Sequence, residues 1–228
     1  MGKDLAVAVI HGIGTQRRLE GDLAFSRPLC GRVAGRLGPS RFERIAWREI
    51  HWSEVIAERQ EEYVESIKDL TRSRFFRRFF VNNFGDAGAY QHTHATALGD
   101  DDQPSHNTYS RIHAEVSAAL FELQRLTSPQ APLVILAHSL GGHIMSNYIY
   151  DVQQRARRGQ FAFQNVSTVA GLITFGCNIP LFLFSYPKEG ITPIARPDSG
   201  LPAALRRETW WLNFHGVHDL LGYPLAPA

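Results

Sequence analysis

The sequence predicts an α/β fold with a mainly parallel sheet flanked by helices, and three observations carry that expectation. Short continuous apolar runs, LAVAVI (5–10), PLVILA (132–137) and AGLITFG (170–176), read as strands buried on both faces. Stretches of helical periodicity separate them, the alternation that builds parallel βαβ units. Two of the apolar runs also end abruptly in glycine-rich turns, HGIG and HSLGG, where a strand hands over to the next element.

Each element has its own justification. Leu5–Ile10 is small and β-branched, and residues 21–37 read as a helix closed by Gly38-Pro39. RIAWREIHW, Arg44–Trp52, alternates well enough for a second strand. From Ser53 to about Asn83 the pattern becomes helical and highly charged, and Gly85–Asn107 is polar and turn-rich. Residues 53–107 therefore read as a helical and loop insertion in the core fold. Tyr109, Ile112, Val116, Leu120, Leu123 and Leu126 recur at helical spacing and predict an amphipathic helix over 108–127. The strand Leu133–Ala137 follows. Ile144, Tyr148 and Val152 then share one face of a helix reaching about Arg158. Ala170–Gly176 and Glu208–Phe214 supply two further strands.

The bulk composition excludes several classes of protein. Hydrophobic residues make up 44% and charged residues 20% of 228 residues, enough for one large domain with its own core. A net charge of +2 gives no electrostatic case for a nucleic-acid partner. Cys30 and Cys177 are far apart in sequence, which excludes a disulfide scaffold and a cysteine-based metal site. No apolar run has the length of a membrane span, and the one at the N-terminus is too short for a signal peptide. These features predict a cytoplasmic protein.

The chemistry concentrates at Ala137-His138-Ser139-Leu140-Gly141. A serine hydroxyl is a weak nucleophile that must be presented sharply beside a base and an oxyanion site. A strand–turn–helix elbow does this when small residues flank the serine, the G-x-S-x-G pattern. Here alanine holds the first small position, and the predicted context of buried strand before and amphipathic helix after also fits. At the head of a helix, free N–H groups and the helix dipole favour developing negative charge. The bland alternative is a serine that caps the helix.

Together VIHGIGTQ and LAHSLGGH resemble the α/β-hydrolase superfamily, in its lipase and esterase branch. The resemblance implies an α/β-hydrolase fold over Leu5–Pro224 and acyl-enzyme chemistry on a carboxylic ester, with Ser139 as nucleophile. It also implies that the backbone N–H groups of Ile13 and Leu140 form the oxyanion hole. His11, Gly12, His138 and Gly141 are then the residues that shape the two supporting turns. No metal or organic cofactor is called for, and the implied substrate is a small-molecule or lipid ester.

The superfamily orders its triad as serine, acid, histidine. Downstream of Ser139 the acids are Asp151, Glu189, Asp198, Glu208 and Asp219. Asp151 lies about 18 Å along the helix at 1.5 Å per residue, too far to serve. Glu189 and Asp198 fall in Pro/Gly-rich sequence without a preceding strand. Asp219 follows the strand WWLNF by a short turn, and LITFGCNIP with WWLNFHGVHDLLGYPL resembles the stretch that carries the acid in lipase-type hydrolases. A turn aspartate serving only its local backbone remains the alternative. No histidine follows Asp219. His218 is the immediate neighbour of the acid and cannot easily form an aligned relay with it, His215, four residues earlier near the strand end, is a weak substitute, and His138 and His143 flank the nucleophile itself. A non-standard base from the region HTHATALGDDD is a further option. The resemblance therefore implies a fold lacking its C-terminal part, where a strand, a histidine loop and a closing helix would follow. Two readings compete with a working esterase: a catalytically silent module of the same fold that binds a lipid or protein partner, and, more weakly, an acyltransferase.

TRSRFFRRFFVNNFG, residues 71–85, interleaves five phenylalanines with four arginines at helical spacing. Such a helix can lie on an anionic membrane surface or cover an acyl pocket as a lid. The pattern is better explained by phenylalanines packing on the core with arginines in water, so membrane contact is not favoured. The Asp100–Asp102 run reads as a solvated loop.

Overall fold

Period-two alternation decides how the first strand is used. In β1 (Leu5–Ile10), Ala6, Ala8 and Ile10 face the main core, while Val7 and Val9 face a smaller cluster on the other side of the sheet. A strand buried on both faces must be covered by helices on both faces, and that is the arrangement in the computed structural model. The structure describes residues 2–14, 16, 18–66, 90, 108–154, 161–183, 192–197, 199–219 and 222–225.

After β1 come α1 (Arg27–Leu37), the short α2 (Pro39–Phe42), β2 (Ile45–Ile50) and α3 (Glu54–Ser66). Further along lie α4 (Thr108–Arg125), β3 (Leu133–His138), α5 (Leu140–Gln154), β4 (Val169–Phe175), α6 (Ile179–Leu183), a 3-10 turn at Ala203–Leu205, and β5 (Trp211–Phe214). The five strands form one sheet in the order β2-β1-β3-β4-β5, and every pairing is parallel. Ala6 stands opposite Leu133 and Ile10 opposite Ala137, so β1 and β3 end side by side. On one face α4 and α5 bury Ile112, Val116, Leu120, Ile144, Met145 and Tyr148 against the sheet. On the other, Phe25, Phe42 and Trp47 pack with Val7, Val9 and Ile45. At the β5 edge the alternation leaves Leu212 and Phe214 exposed.

The first helix begins at Arg27 rather than at residue 21, and the reason lies on a different strand. The carboxylate of Glu49, buried at the end of β2, accepts the backbone N–H groups of Ala24 (2.8 Å), Phe25 (2.9 Å) and Ser26 (2.5 Å). Ser26 occupies the N-cap but makes no side-chain cap bond. Its hydroxyl instead accepts from Trp47 Nε1 at 2.9 Å. A buried acid thus ties down the three residues that lead into α1, the N-cap Ser26 among them, and places a negative charge beside the start of the helix, where the dipole favours it. The other strand and helix expectations hold with shifts of a few residues at their ends. Of the insertion, Glu54–Ser66 is helical. The phenylalanine–arginine run of 71–85, the turn-rich 91–107 with His92, His94 and His106, and the acids Glu189 and Asp198 lie outside the described residues. Among the described residues no helix is long and apolar enough to cross a membrane.

Tyr90 is fully buried between α4 and α5. Its hydroxyl lies 2.6 Å from His113 Nε2, and His113 Nδ1 lies 3.2 Å from Asp151 Oδ2. Tyr109 donates to the same Asp151 oxygen at 3.0 Å, and its ring stacks on Tyr90. His113 thus stands between the two groups, with Nε2 at hydrogen-bond distance from the Tyr90 hydroxyl and Nδ1 facing the Asp151 carboxylate. Burial, followed by the neighbouring Tyr109, holds the Tyr90 hydroxyl well above the usual phenol range, so it remains a donor. Removing that donor leaves a buried ring nitrogen unsatisfied. Tyr90→Phe is expected to cost about 1–2 kcal/mol, read as a lowered urea midpoint with an unchanged denaturant slope; an unchanged midpoint would show that the bond is not made.

Candidate active site

Ser139 occupies the single-residue junction between β3 and α5, with φ +51°. A non-glycine residue with a left-handed backbone is costly unless its surroundings enforce the conformation. Here they do so from three sides. The Ser139 N–H donates to the Phe175 carbonyl at the end of β4 (3.0 Å), and the Ser139 carbonyl accepts from Gly142 N–H (2.9 Å). Gly141 lets the head of α5 meet the end of β1: a Cβ there would lie 2.5 Å from the His11 carbonyl and 3.0 Å from that of Ile10. Gly12 lets the turn after β1 close on the serine, since its Cβ would lie 2.7 Å from Ser139 Cβ. The two glycine-bearing turns therefore interlock, each giving up a side chain at the point of contact.

Ile13 follows Gly12 in a half-buried bend, packed against the main core, and Gly14 has φ +99°. Leu140, fully buried, is the first residue of α5. As a first-turn residue, its N–H has no acceptor within the helix. Thus both turns that carry the expected oxyanion donors border Ser139.

On the other side of the elbow lies Asp219. Its Oδ2 and His138 Nε2 stand 3.4 and 3.3 Å from the position of a Cβ on Gly176, the residue that ends β4 with φ +56°. Gly222 closes over the same carboxylate, with no space for a side chain of its own. The His138 ring stacks on Phe175 (5.1 Å between centroids), and its Nδ1 lies 3.0 Å from the position of a Cβ on Gly12, beside Ser139. Its partial burial lowers the imidazole pKa, an effect that the Asp219 charge partly offsets. The structure thus brings together Ser139, Gly12, Gly141, His138 and Asp219 at the C-terminal ends of β1, β3 and β4, next to β5.

The other histidines have separate tasks. His11 stacks on Trp52 (5.0 Å, 13°) and donates from Nδ1 to the Gly12 carbonyl at 2.7 Å. Its Nε2 is buried without a hydrogen-bond partner among the described residues. His143 stacks on Phe182 (4.1 Å, 8°), and its Nε2 accepts from Asn147 Nδ2 at 3.3 Å. His51 is paired with Glu49, and His113 with Asp151. His215 and His218 are exposed beyond β5. Asp151, discounted on distance, is held by Tyr109 and His113 away from the elbow. Sequence reasoning missed both buried acid–histidine pairs. For one pair a signal was present, since Glu49 and His51 stand at i, i+2 at the end of one strand; for the other there was none, because His113 and Asp151 lie on different helices. Among the described residues no group of three His, Cys, Asp or Glu side chains could hold a metal ion. Comparison of the chain with protein-family models and with curated proteins finds no match.

Burial pushes the imidazoles of both His11 and His143 down to about 4, His51 adding to the effect at His11 and His113 at His143. Each is therefore neutral in the folded protein at pH 7. Because these values lie below the ordinary 6.5, the unfolded chain binds more protons between pH 6.5 and 4. Stability from these two groups is complete above pH 6.5 and lost as pH falls toward 4, on the order of 3 kcal/mol for each. Urea midpoints measured across that interval are expected to fall, and the slope to be shallower in His143→Phe; a flat profile in the wild type would contradict neutral burial.

Proposed function

We propose that this chain is a serine hydrolase of the α/β-hydrolase type, acting on carboxylic esters through an acyl-enzyme. The observation that carries the reading is the left-handed backbone of Ser139, held between a buried parallel strand and a helix. Strain at a serine in this position has a function in presenting Oγ above the sheet, whereas a capping serine has ordinary extended geometry.

In this reading Ser139 Oγ attacks the ester carbonyl carbon and gives its proton to an imidazole base. The carbonyl oxygen becomes an oxyanion facing the N–H groups of Ile13 and Leu140. When the tetrahedral intermediate collapses, the ester C–O bond breaks and the alcohol leaves with the proton from the base. Water then repeats the sequence on the acyl-serine and releases the carboxylic acid. Asp219 is the acid that orients the base. The interlock of Gly12 with Ser139 supports the assignment of the first turn to the oxyanion, since a donor there must lie within about 3 Å of the reacting oxygen.

A fluorophosphonate probe is expected to label the wild type and not Ser139→Ala, with Gly12→Ala slowed at least about a hundredfold because its Cβ enters the space of the serine. His138→Gln separates two sources of the base. With the base supplied by another imidazole, its labelling is expected to stay within about tenfold of wild type. A loss as complete as that of Ser139→Ala would make His138 the base. A wild type that neither labels nor cleaves short-chain p-nitrophenyl esters would overturn the hydrolase reading in favour of a silent binding module.

A further inference from the structure

The Glu49–His51 pair takes no part in the chemistry described above, yet it is buried and bonded on every side. Besides the three N–H groups at 24–26, Glu49 Oε2 accepts from His51 Nε2 at 3.1 Å. The other His51 nitrogen, Nδ1, faces the Gln16 carbonyl at 3.3 Å. Gln16 N–H in turn donates to Ser53 Oγ at 3.1 Å, and Trp52 Nε1 donates to the His11 carbonyl at 3.0 Å. Phe25 packs edge-on to both His11 (5.0 Å) and His51 (5.2 Å).

These bonds share one geometry. The chain from His11 to Ser26 carries the Gly12–Ile13 turn, and it is stitched to the end of β2 at its beginning, at Gln16 and at its far end. These stitches come from Glu49, His51, Trp52 and Ser53, and Glu54 adds another by accepting the Arg18 N–H at 3.0 Å. Glu49 makes the greatest number, and it is the member whose charge the others solvate. Three backbone N–H groups and an imidazole converge on one carboxylate, and burial alone would raise its pKa; the bonds from Ser26, Ala24 and Phe25 outweigh burial and hold it below the usual range.

We infer that Glu49 is a positioning residue for the oxyanion hole: through His51 and the N–H groups at 24–26 it fixes the loop that presents the Ile13 N–H to the substrate oxygen. This inference rests on the hydrolase reading of Ser139. A donor held by a loop contributes to the transition state only if the loop is already in position, and a misplacement of about 1 Å can cost about a hundredfold in rate. The oxyanion develops only as the reaction proceeds, so the effect falls on turnover rather than on binding.

The test compares wild type with Glu49→Gln, which keeps the size of the side chain and removes its charge. With a p-nitrophenyl ester, kcat is expected to fall about tenfold to a hundredfold while KM stays within about threefold. The affinity for a trifluoromethyl ketone, whose serine adduct carries an oxyanion, is expected to fall by the same factor. Amide hydrogen exchange adds a readout independent of activity: peptides spanning 11–16 exchange faster in Glu49→Gln, while those of β3 do not change. Ser53→Ala cuts a second stitch without disturbing the buried charge, and the same pattern at smaller amplitude is expected; it is the variant to read if Glu49→Gln fails to fold. A kcat within twofold of wild type with unchanged exchange at 11–16, or a rise in KM alone, overturns the inference. A wild type without probe labelling or turnover overturns the hydrolase reading, and this inference with it.

Discussion

The left-handed turn at Ser139 is the constraint on which the surrounding structure depends. Two parallel strands, β1 and β3, end side by side, and the chain must leave β3 directly into α5 with one residue as the joint. That reversal is tolerable only because the neighbouring backbones approach within contact distance. Gly141 admits the end of β1, Gly12 admits the serine, and the end of β4 supplies the acceptor for the serine's own N–H. A larger residue at either glycine would collide with backbone or with the serine itself, so the local strain is maintained by rigid parts of the sheet.

Among the described residues, the acids Glu49, buried, and Asp151, half-buried, are each surrounded by donors. Glu49 collects three backbone N–H groups and an imidazole, and Asp151 collects a phenol and an imidazole. An unsolvated carboxylate would be intolerable at such depth. The neutral histidines are treated differently. His11 and His143 are packed as flat aromatic surfaces on Trp52 and Phe182, with burial keeping their charged forms out of reach at neutral pH. The fold thus uses histidine in two ways, as the partner of a buried acid and as a stacking ring.

Much of this was legible in the sequence, for a definite reason. A parallel strand buried on both faces writes itself as a continuous apolar run, and an elbow writes itself as small residues around a serine; both are local patterns. Ser139, Gly12 and Gly141 were therefore visible before any coordinates, as was the strand preceding Asp219. What could not be read is long-range pairing. Glu49 holds the residues that lead into a helix beginning more than twenty residues earlier, and nothing near Ser26 signals that its anchor comes from β2. The start of α1 was misjudged for that reason. Likewise Asp151 and His113 each look unremarkable on their own helix, and only the packing of α4 on α5 gives each its partner.

The sheet order has a consequence for how the chain acquires its structure during synthesis. Of the five strands β1 leaves the ribosome first, and its early neighbour, β2, follows within a few dozen residues and can pair with it at once. The opposite edge of β1 must wait for Leu133–His138, more than half the chain later. Until then a strand built to be covered on both faces and bonded on both edges is half-paired, which is the condition that invites wrong partners. The interior position of the first strand therefore makes the nascent chain dependent on late events, and ties formation of the serine turn to the moment at which that vacancy closes.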